Sequence, residues 1–330
     1  MDTDFDTHSA THARHQLLER RERLEAVIPA APDAQSLSRL LAEVDAALGR
    51  IEQGSFGVCD VCDGTVESDR LASDPLLRTC LSCLTAAEQH ALERDLDLAG
   101  HVQRTLLPPM ALQINGWEAA YRYQPAGLTS GDYIDLLPLD SGELIFLIGD
   151  VSGKGVAASL LMSHLHATVR SLIAMRLPFG ELMDRANRIF YDSVCGDQYA
   201  TLLCGKAGRN GEVELSNAGH CPPIVLRGAS AFTLPPTSVP GGLFANPPFP
   251  TTRLTLGVGD TLLLYTDGVT EMVDAAGREF GRDRLVAAAA RAERGPVADA
   301  IAGAAAEFER FRGTNPRTDD LTLFALRRNA

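Results

Sequence analysis

Apolar positions change their rhythm twice along this chain. Between His15 and Ile28, Leu17, Leu18, Leu24 and Ile28 recur near the helical period, with charge on the other faces. Ser36 to Glu52 repeats the pattern through Leu37, Leu40, Leu41, Val44, Ala47, Leu48 and Ile51. PAAPDA separates the two runs, which predicts a short antiparallel helical hairpin over 15–53. The polar stretch 1–14 lacks the period and is expected to be a disordered tail. A third helical run starts at Thr85 and lines up Leu92, Leu96, Ala99, Val102 and Leu106 in one stripe. It stops at Leu107-Pro108-Pro109, because proline has no amide to donate and disfavours the helical region before it. Residues 85–107 therefore read as a linker helix whose stripe packs on its own domain or forms a seam with a second copy.

Beyond Pro109 strands take over, in WEAAYRYQP, YIDLLPL and ELIFLIGDV. Helices are expected from Val156 to about Arg176 and from Gly180 to Ser193. Strands resume in YATLLCGKA, GEVELSNAG and PPIVLRG, followed by a proline-rich loop over 235–250 and a buried strand in TLLLYTDGV. Two alanine-rich helices cover roughly 282–311, and LTLFAL closes the chain. Strands in runs with helices in pairs predict an α+β fold over 108–330, with helices covering antiparallel sheets.

Composition narrows the function. Hydrophobic residues at 45% and charged residues at 22% suit a globular chain, and no window holds eighteen uncharged apolar residues. The opening MDTDFDTHSATHARH has neither a basic start nor an apolar stretch, so a cytoplasmic location with no membrane partner is expected. Net charge is -13, of which residues 1–107 carry 10 basic and 19 acidic groups, net -9. That acidity disfavours nucleic acid as a direct partner.

Cys59-Asp-Val-Cys62 and Cys80-Leu-Ser-Cys83 lie seventeen residues apart, a spacing that closes a tetrahedral thiolate cage around zinc. A four-thiolate site leaves no open coordination position, so one structural Zn²⁺ is expected. ALGRIEQGSFGVCDVCDGTVESDRLASDPLLRTCLSCLTAAEQ also resembles the zinc-finger segment of the TraR/DksA family, which places a four-cysteine finger at 54–84. Members of that family bind RNA polymerase through a long coiled coil ahead of the finger. Here the hairpin is short and its turn, VIPAAPDA, is apolar, so the resemblance carries over the zinc ligands and not the polymerase activity.

The larger domain repeatedly delivers an aspartate at the end of an apolar strand. IFLIG leads to Asp150, LLLYT to Asp267, Asp319-Asp320 precedes LTLFAL, and SGDYID adds Asp132 and Asp135. Carboxylates gathered at the mouth of a sheet repel one another unless a cation neutralises them, and oxygen ligands suit Mg²⁺ or Mn²⁺. Two such ions could clamp a phosphate for in-line attack.

LLP at 106–108, GDYIDL at 131–136, GDVSGKGVAASLLM at 149–162, NAGHCPP at 217–223, YTDGVTE at 265–271, FG at 280–281 and TDDLTL at 318–323 occur in this order. Together they resemble the SpoIIE/RsbU branch of the metal-dependent PPM (2C-like) serine/threonine protein phosphatases, across nearly all of 98–330. The resemblance implies a layered sandwich of two antiparallel sheets flanked by helices. It also implies hydrolysis of phosphoserine or phosphothreonine, without a phosphoenzyme, on a protein such as an anti-sigma-factor antagonist.

On this resemblance two Mn²⁺ or Mg²⁺ ions are held by Asp132, Asp150, Asp267 and Asp319, with the Val151 carbonyl as a further ligand. Asp135 falls on the opposite face of its strand, and Asp320 is a second choice. Lys154 could touch substrate phosphate or equally be a solvated charge. His220 could donate a proton to the leaving serine, or hold a turn. Cys195, Cys204 and Cys221 are expected to be inert thiols. The linker helix is expected to support a homodimer. A competing reading is a TraR/DksA-like transcription regulator with a silent phosphatase fold.

Overall fold

The computed structural model describes the backbone of residues 3–30, 33–194, 198–290 and 295–329; Cys195 lies outside them. The chain divides into two compact units, Met1–Arg94 and Asp95–Ala330.

In the first unit, helix α1 (Thr3–Val27) pairs with α2 (Ala34–Glu52). Leu17 and Leu24 pack with Val44, Ala47 and Leu48. The start of α1 corrects the expected tail over 1–14: the helix is already formed at Thr3. Helical hydrogen bonding needs no apolar period, and Ala13, 3% exposed, extends the buried face one turn before Leu17. Asp33 caps α2 by accepting from the Ser36 N–H at 3.4 Å. A tight loop follows, with Cys59 N–H donating to Gly64 O and Val66 N–H to Gly57 O, both at 2.7 Å. The short helix α3 (Ser68–Ser73) then leads to a 3-10 turn at Leu81–Cys83. Helix α4 (Ala86–Leu106), whose residues from Asp95 on belong to the second unit, opens with a capping box. Thr85 N–H donates to Glu88 Oε2 at 2.8 Å, and Glu88 N–H donates to Thr85 Oγ1 at 3.3 Å.

The second unit is built on two antiparallel sheets. One runs in the order β1 (Ala111–Ile114), β2 (Trp117–Gln124), β11 (Leu321–Arg328), β10 (Thr261–Tyr265), β7 (Ile224–Arg227), β8 (Ser230–Thr233). The other runs β3 (Asp132–Pro138), β4 (Leu144–Val151), β5 (Ala200–Ala207), β6 (Glu212–Ala218), β9 (Thr252–Thr255). Inner faces meet through residues such as Ile134, Phe146, Ile148, Leu203, Leu264 and Phe324. Helices α5 (Gly155–Ala174) and α6 (Phe179–Tyr191) cover the five-stranded sheet. Helices α8 (Gly281–Ala290) and α9 (Val297–Arg312) cover the six-stranded one. The fold is thus α+β, two antiparallel sheets flanked by helices. Strands β1, β8 and β9 were not foreseen: each has only four residues, too few to show an alternation.

One further correction, and one observation on α4, bear on the site. The strand expected in TLLLYTDGV ends at Tyr265, and Asp267 opens the one-turn helix α7 (Asp267–Thr270). The α4 stripe, expected either to pack on its own domain or to form a seam with a second copy, is partly exposed. Gly100 and Gln103 are the buried positions of α4, while Leu92, Leu98 and Val102 are exposed. A close backbone approach decides this, since a Cβ at Gly100 would stand 2.2 Å from Leu128 O.

Packing between the sheets leaves no room at Gly205. Phe146 lies directly across the β4–β5 ladder from it, and a Cβ there would come within 2.0 Å of the ring. The ring is fully buried and stacks on Phe324 at 5.6 Å, so it cannot step aside. Gly205→Ala is therefore expected to destabilise the protein by about 2 kcal/mol, read as a lower urea midpoint. An unchanged midpoint would contradict this packing.

Candidate active site

Four strand ends bring the predicted carboxylates to one edge of the sandwich. Asp132 opens β3 and is the register partner of Asp150 on β4, so the two side chains share the inner face. Asp267 follows β10, Asp319 precedes β11, and Thr266 N–H donates to Thr322 O at 3.0 Å, which keeps these two ends together. Asp132, 1% exposed, is gripped across the sandwich: its Oδ2 accepts from Thr266 Oγ1 at 3.0 Å and from Thr322 Oγ1 at 2.5 Å. These threonines escaped the sequence reading. Their only signal was a hydroxyl beside each aspartate motif, in YTDG and TDDLT.

Electrostatics reports the crowding. Burial, and then the charge of Asp150, hold the Asp132 carboxyl well above the ordinary range. Burial followed by Asp267, Asp319 and Asp320 pushes Asp150 up to about 7. Asp267 is raised by burial and by Asp319, and Glu271 by burial and by Asp267. Such a cluster resists ionisation unless positive charge enters it. Space is kept for that charge at Gly131, where a Cβ would stand 2.9 Å from Val151 O and 3.3 Å from Asp150 Oδ1. An all-oxygen donor set around this space fits a hard divalent cation.

The neighbouring acids do other work. Asp135, fully buried on the outer face of β3, accepts from Arg170 Nε at 2.7 Å and Nη2 at 2.8 Å, tying α5 to the sheet. Asp320 accepts from the N–H groups of Ala126 at 2.7 Å and Gly131 at 2.8 Å, so it shapes the loop that carries Asp132. A second brace comes from α4. Gln103 Nε2 donates to Ser130 O at 2.6 Å and its Oε1 accepts from Ser130 N–H at 2.9 Å. Gln103 sits within a polar helix, so nothing in its sequence context marked it.

Lys154 reaches the site from the loop before α5: its Nζ lies 3.1 Å from Asp319 Oδ2 and donates to Thr318 O at 2.5 Å. His220 is buried in the turn after β6, with Nδ1 2.9 Å from Thr201 Oγ1 and its N–H donating to Asn217 Oδ1 at 2.8 Å. Burial lowers its pKa to about 4, so it is neutral near pH 7 and suited to holding the turn. Cys204 and Cys221 are pushed up by burial, Cys221 to about 12, as expected of unreactive thiols. His164 stacks on Phe190 and His166 meets Tyr133 edge-on, so they do not form a ligand pair.

In the first unit the Sγ atoms of Cys59, Cys62, Cys80 and Cys83 all lie within 4.8 Å of one another, and this cluster could hold a metal. Cys62 and Cys80 sulfurs are 3.7 Å apart. Metal–sulfur bonds of about 2.3 Å in a tetrahedron place sulfurs about 3.8 Å apart, which matches. N–H groups of Cys80 and Val61 lower the Cys59 thiol to about 6, while hydrogen bonding with Cys62 and Cys80 raises Cys83 to about 12. Four thiolates cannot coexist here without a cation.

Among known proteins, the family model described as stage II sporulation protein E (SpoIIE) matches residues 140–329. Phosphoserine phosphatase RsbU of Bacillus subtilis is 25% identical over 186 residues, covering 56% of this chain and 55% of the relative. The crystal structure of the RsbU and RsbW domains of Rv1364c from Mycobacterium tuberculosis matches with a TM-score of 0.58 and 29% identity. It covers 67% of this chain and 62% of that one. The SiaA-PP2C domain of Pseudomonas aeruginosa matches with a TM-score of 0.65 over 74% of this chain and 99% of that one; at 19% identity it speaks to the fold alone. The chain spans between about a third and about half of the length of the curated relatives it matches.

Proposed function

The chain belongs to the stage II sporulation protein E family, and from that premise we propose that it is a metal-dependent phosphatase acting on phosphoserine or phosphothreonine of a regulatory protein. The observation that carries this reading is the pair of buried Asp132 and half-buried Asp150, directly opposed across a ladder and joined at the same edge by Asp267 and Asp319. Asp132, Asp150, Asp267, Asp319 and the Val151 carbonyl are the ligands. Bound there, two Mn²⁺ or Mg²⁺ ions supply the charge that draws in phosphate and activates water for in-line attack.

The chain's own residues position that chemistry. Thr266 and Thr322 aim Asp132, while Gln103 and Asp320 hold the loop in front of it. Gly268 lets α7 close against Asp320 O, which a Cβ would meet at 1.9 Å. His220 is a positioning residue with no acid role.

Asp319 and Lys154, which flank the carboxylate cluster, are both partly exposed, so a phosphate carried on another protein could reach them. The name of the Bacillus relative supports phosphoserine, and the pairing of RsbU and RsbW domains in the Mycobacterium protein supports a partner-controlled switch. We assign the substrate as a phosphorylated anti-sigma-factor antagonist.

Residues 54–84 form a zinc finger with one structural Zn²⁺, and the exposed side of α4 supports a homodimer. Among the described residues no helix is long and apolar enough to cross a membrane, and the thiolate cluster favours the reducing cytoplasm. The test is hydrolysis of p-nitrophenyl phosphate and of the phosphorylated antagonist. Turnover is expected to need Mn²⁺, to vanish in EDTA and to return on adding Mn²⁺. A rate indifferent to the chelator, or no rate at all, would leave the silent-fold regulator as the better reading.

A further inference from the structure

We propose that Lys154 is the resident counter-ion of the carboxylate cluster, and that its ammonium exchanges with a divalent cation at Asp319 and thereby becomes free to meet the substrate phosphate. The proposal rests on the phosphatase reading and adds an order of events to it: phosphate is recognised only after the metal has been bound.

The ammonium bridges two parts of the chain far apart in sequence. Its Nζ donates to Thr318 O at 2.5 Å and pairs with Asp319 Oδ2 at 3.1 Å, two residues before the start of β11. One ammonium, with a single positive charge, thus answers one carboxylate of a site that also gathers Asp132, Asp150 and Asp267, and a divalent ion at the same carboxylate outcompetes it.

The loop is built for exchange. Lys154 lies between Gly153 at φ 94° and Gly155 at φ 72°, and no Cβ at either would meet a neighbour within 4 Å. Its side chain is 62% exposed, so Nζ can swing without disturbing packing. Residue choice points the same way. The chain holds 30 basic residues, of which only Lys154 and Lys206 are lysines, and Lys206 is engaged elsewhere with Glu214 at 3.0 Å. Arginine would grip a carboxylate through two parallel bonds, whereas a lysine point charge on a flexible stem lets go more readily.

Calorimetric Mn²⁺ titration of the full chain, with melting in EDTA and in saturating Mn²⁺, tests this. Lys154→Gln is expected to bind Mn²⁺ about tenfold more tightly than wild type, because the competitor is gone and the cluster is more negative. The variant should melt below wild type in EDTA and above it in Mn²⁺, and its KM for the phosphorylated substrate should rise. Lys154→Arg should bind Mn²⁺ more weakly than wild type. Mn²⁺ affinity unchanged or reduced in Lys154→Gln, even with a raised KM, would overturn the exchange and leave a phosphate contact alone. A wild type that binds no Mn²⁺ would instead overturn the metal reading on which the proposal stands.

Discussion

Asp150→Asn is expected to cut phosphatase turnover on the order of 10³-fold while making the metal-free protein more stable. Loss of turnover follows from removing a ligand carboxylate at the centre of the cluster. The gain in stability follows from the pKa. Burial and the neighbouring aspartates push Asp150 from its ordinary 3.8 to about 7 in the folded chain. Below about pH 4 the carboxyl is protonated in both folded and unfolded states and contributes nothing. Between pH 4 and 7 the unfolded chain releases the proton and the folded chain keeps it, so stability falls as pH rises and stays low above 7. The span corresponds to about 4 kcal/mol at most. In EDTA the Tm advantage of Asp150→Asn over wild type should therefore appear above pH 4, grow to pH 7 and then level off. In saturating Mn²⁺ the order should reverse. Equal melting at pH 8 in EDTA would show that Asp150 is not under this repulsion.

Replacing Cys80 by serine is expected to abolish zinc binding and unfold residues 57–83. The segment's own core consists of Cys59, Val66, Leu71 and Cys80, with Phe56, Leu77 and Cys83 packed on its margin. So small a core cannot offset the entropy of ordering the loop, so metal binding there is folding. Wild type should carry about one zinc per chain and Cys80→Ser almost none. Amide exchange should become fast from Gly57 to Cys83 in the variant. Zinc-free wild type with the same slow exchange would refute a structural role for the metal.

Much of the site was legible before any fold was known, and the reason is local. Alternation along β3 put Asp132 and Asp135 on opposite faces, and in the structure one meets threonines of the facing sheet while the other meets Arg170 on a covering helix. Each strand-end aspartate is marked by the apolar run before or after it, and the paired CxxC spacing is short enough to imply one cage. Helix α1 went unread over its first residues because a polar helix carries no period, and β8 and β9 because four residues carry too little of one.

What the sequence determined by itself is therefore the set of chemical groups, their faces and their order: four aspartates, four cysteines, strands in runs and helices in pairs. The tertiary structure alone decided which groups meet. Thr322 reaches Asp132 across 190 residues, Lys154 reaches Asp319 across 165, and Gln103 braces Ser130 from a neighbouring helix. Periodicity reports how a side chain leaves its own backbone, while these contacts depend on strand order within each sheet and on the stacking of one sheet upon the other, which no local pattern encodes.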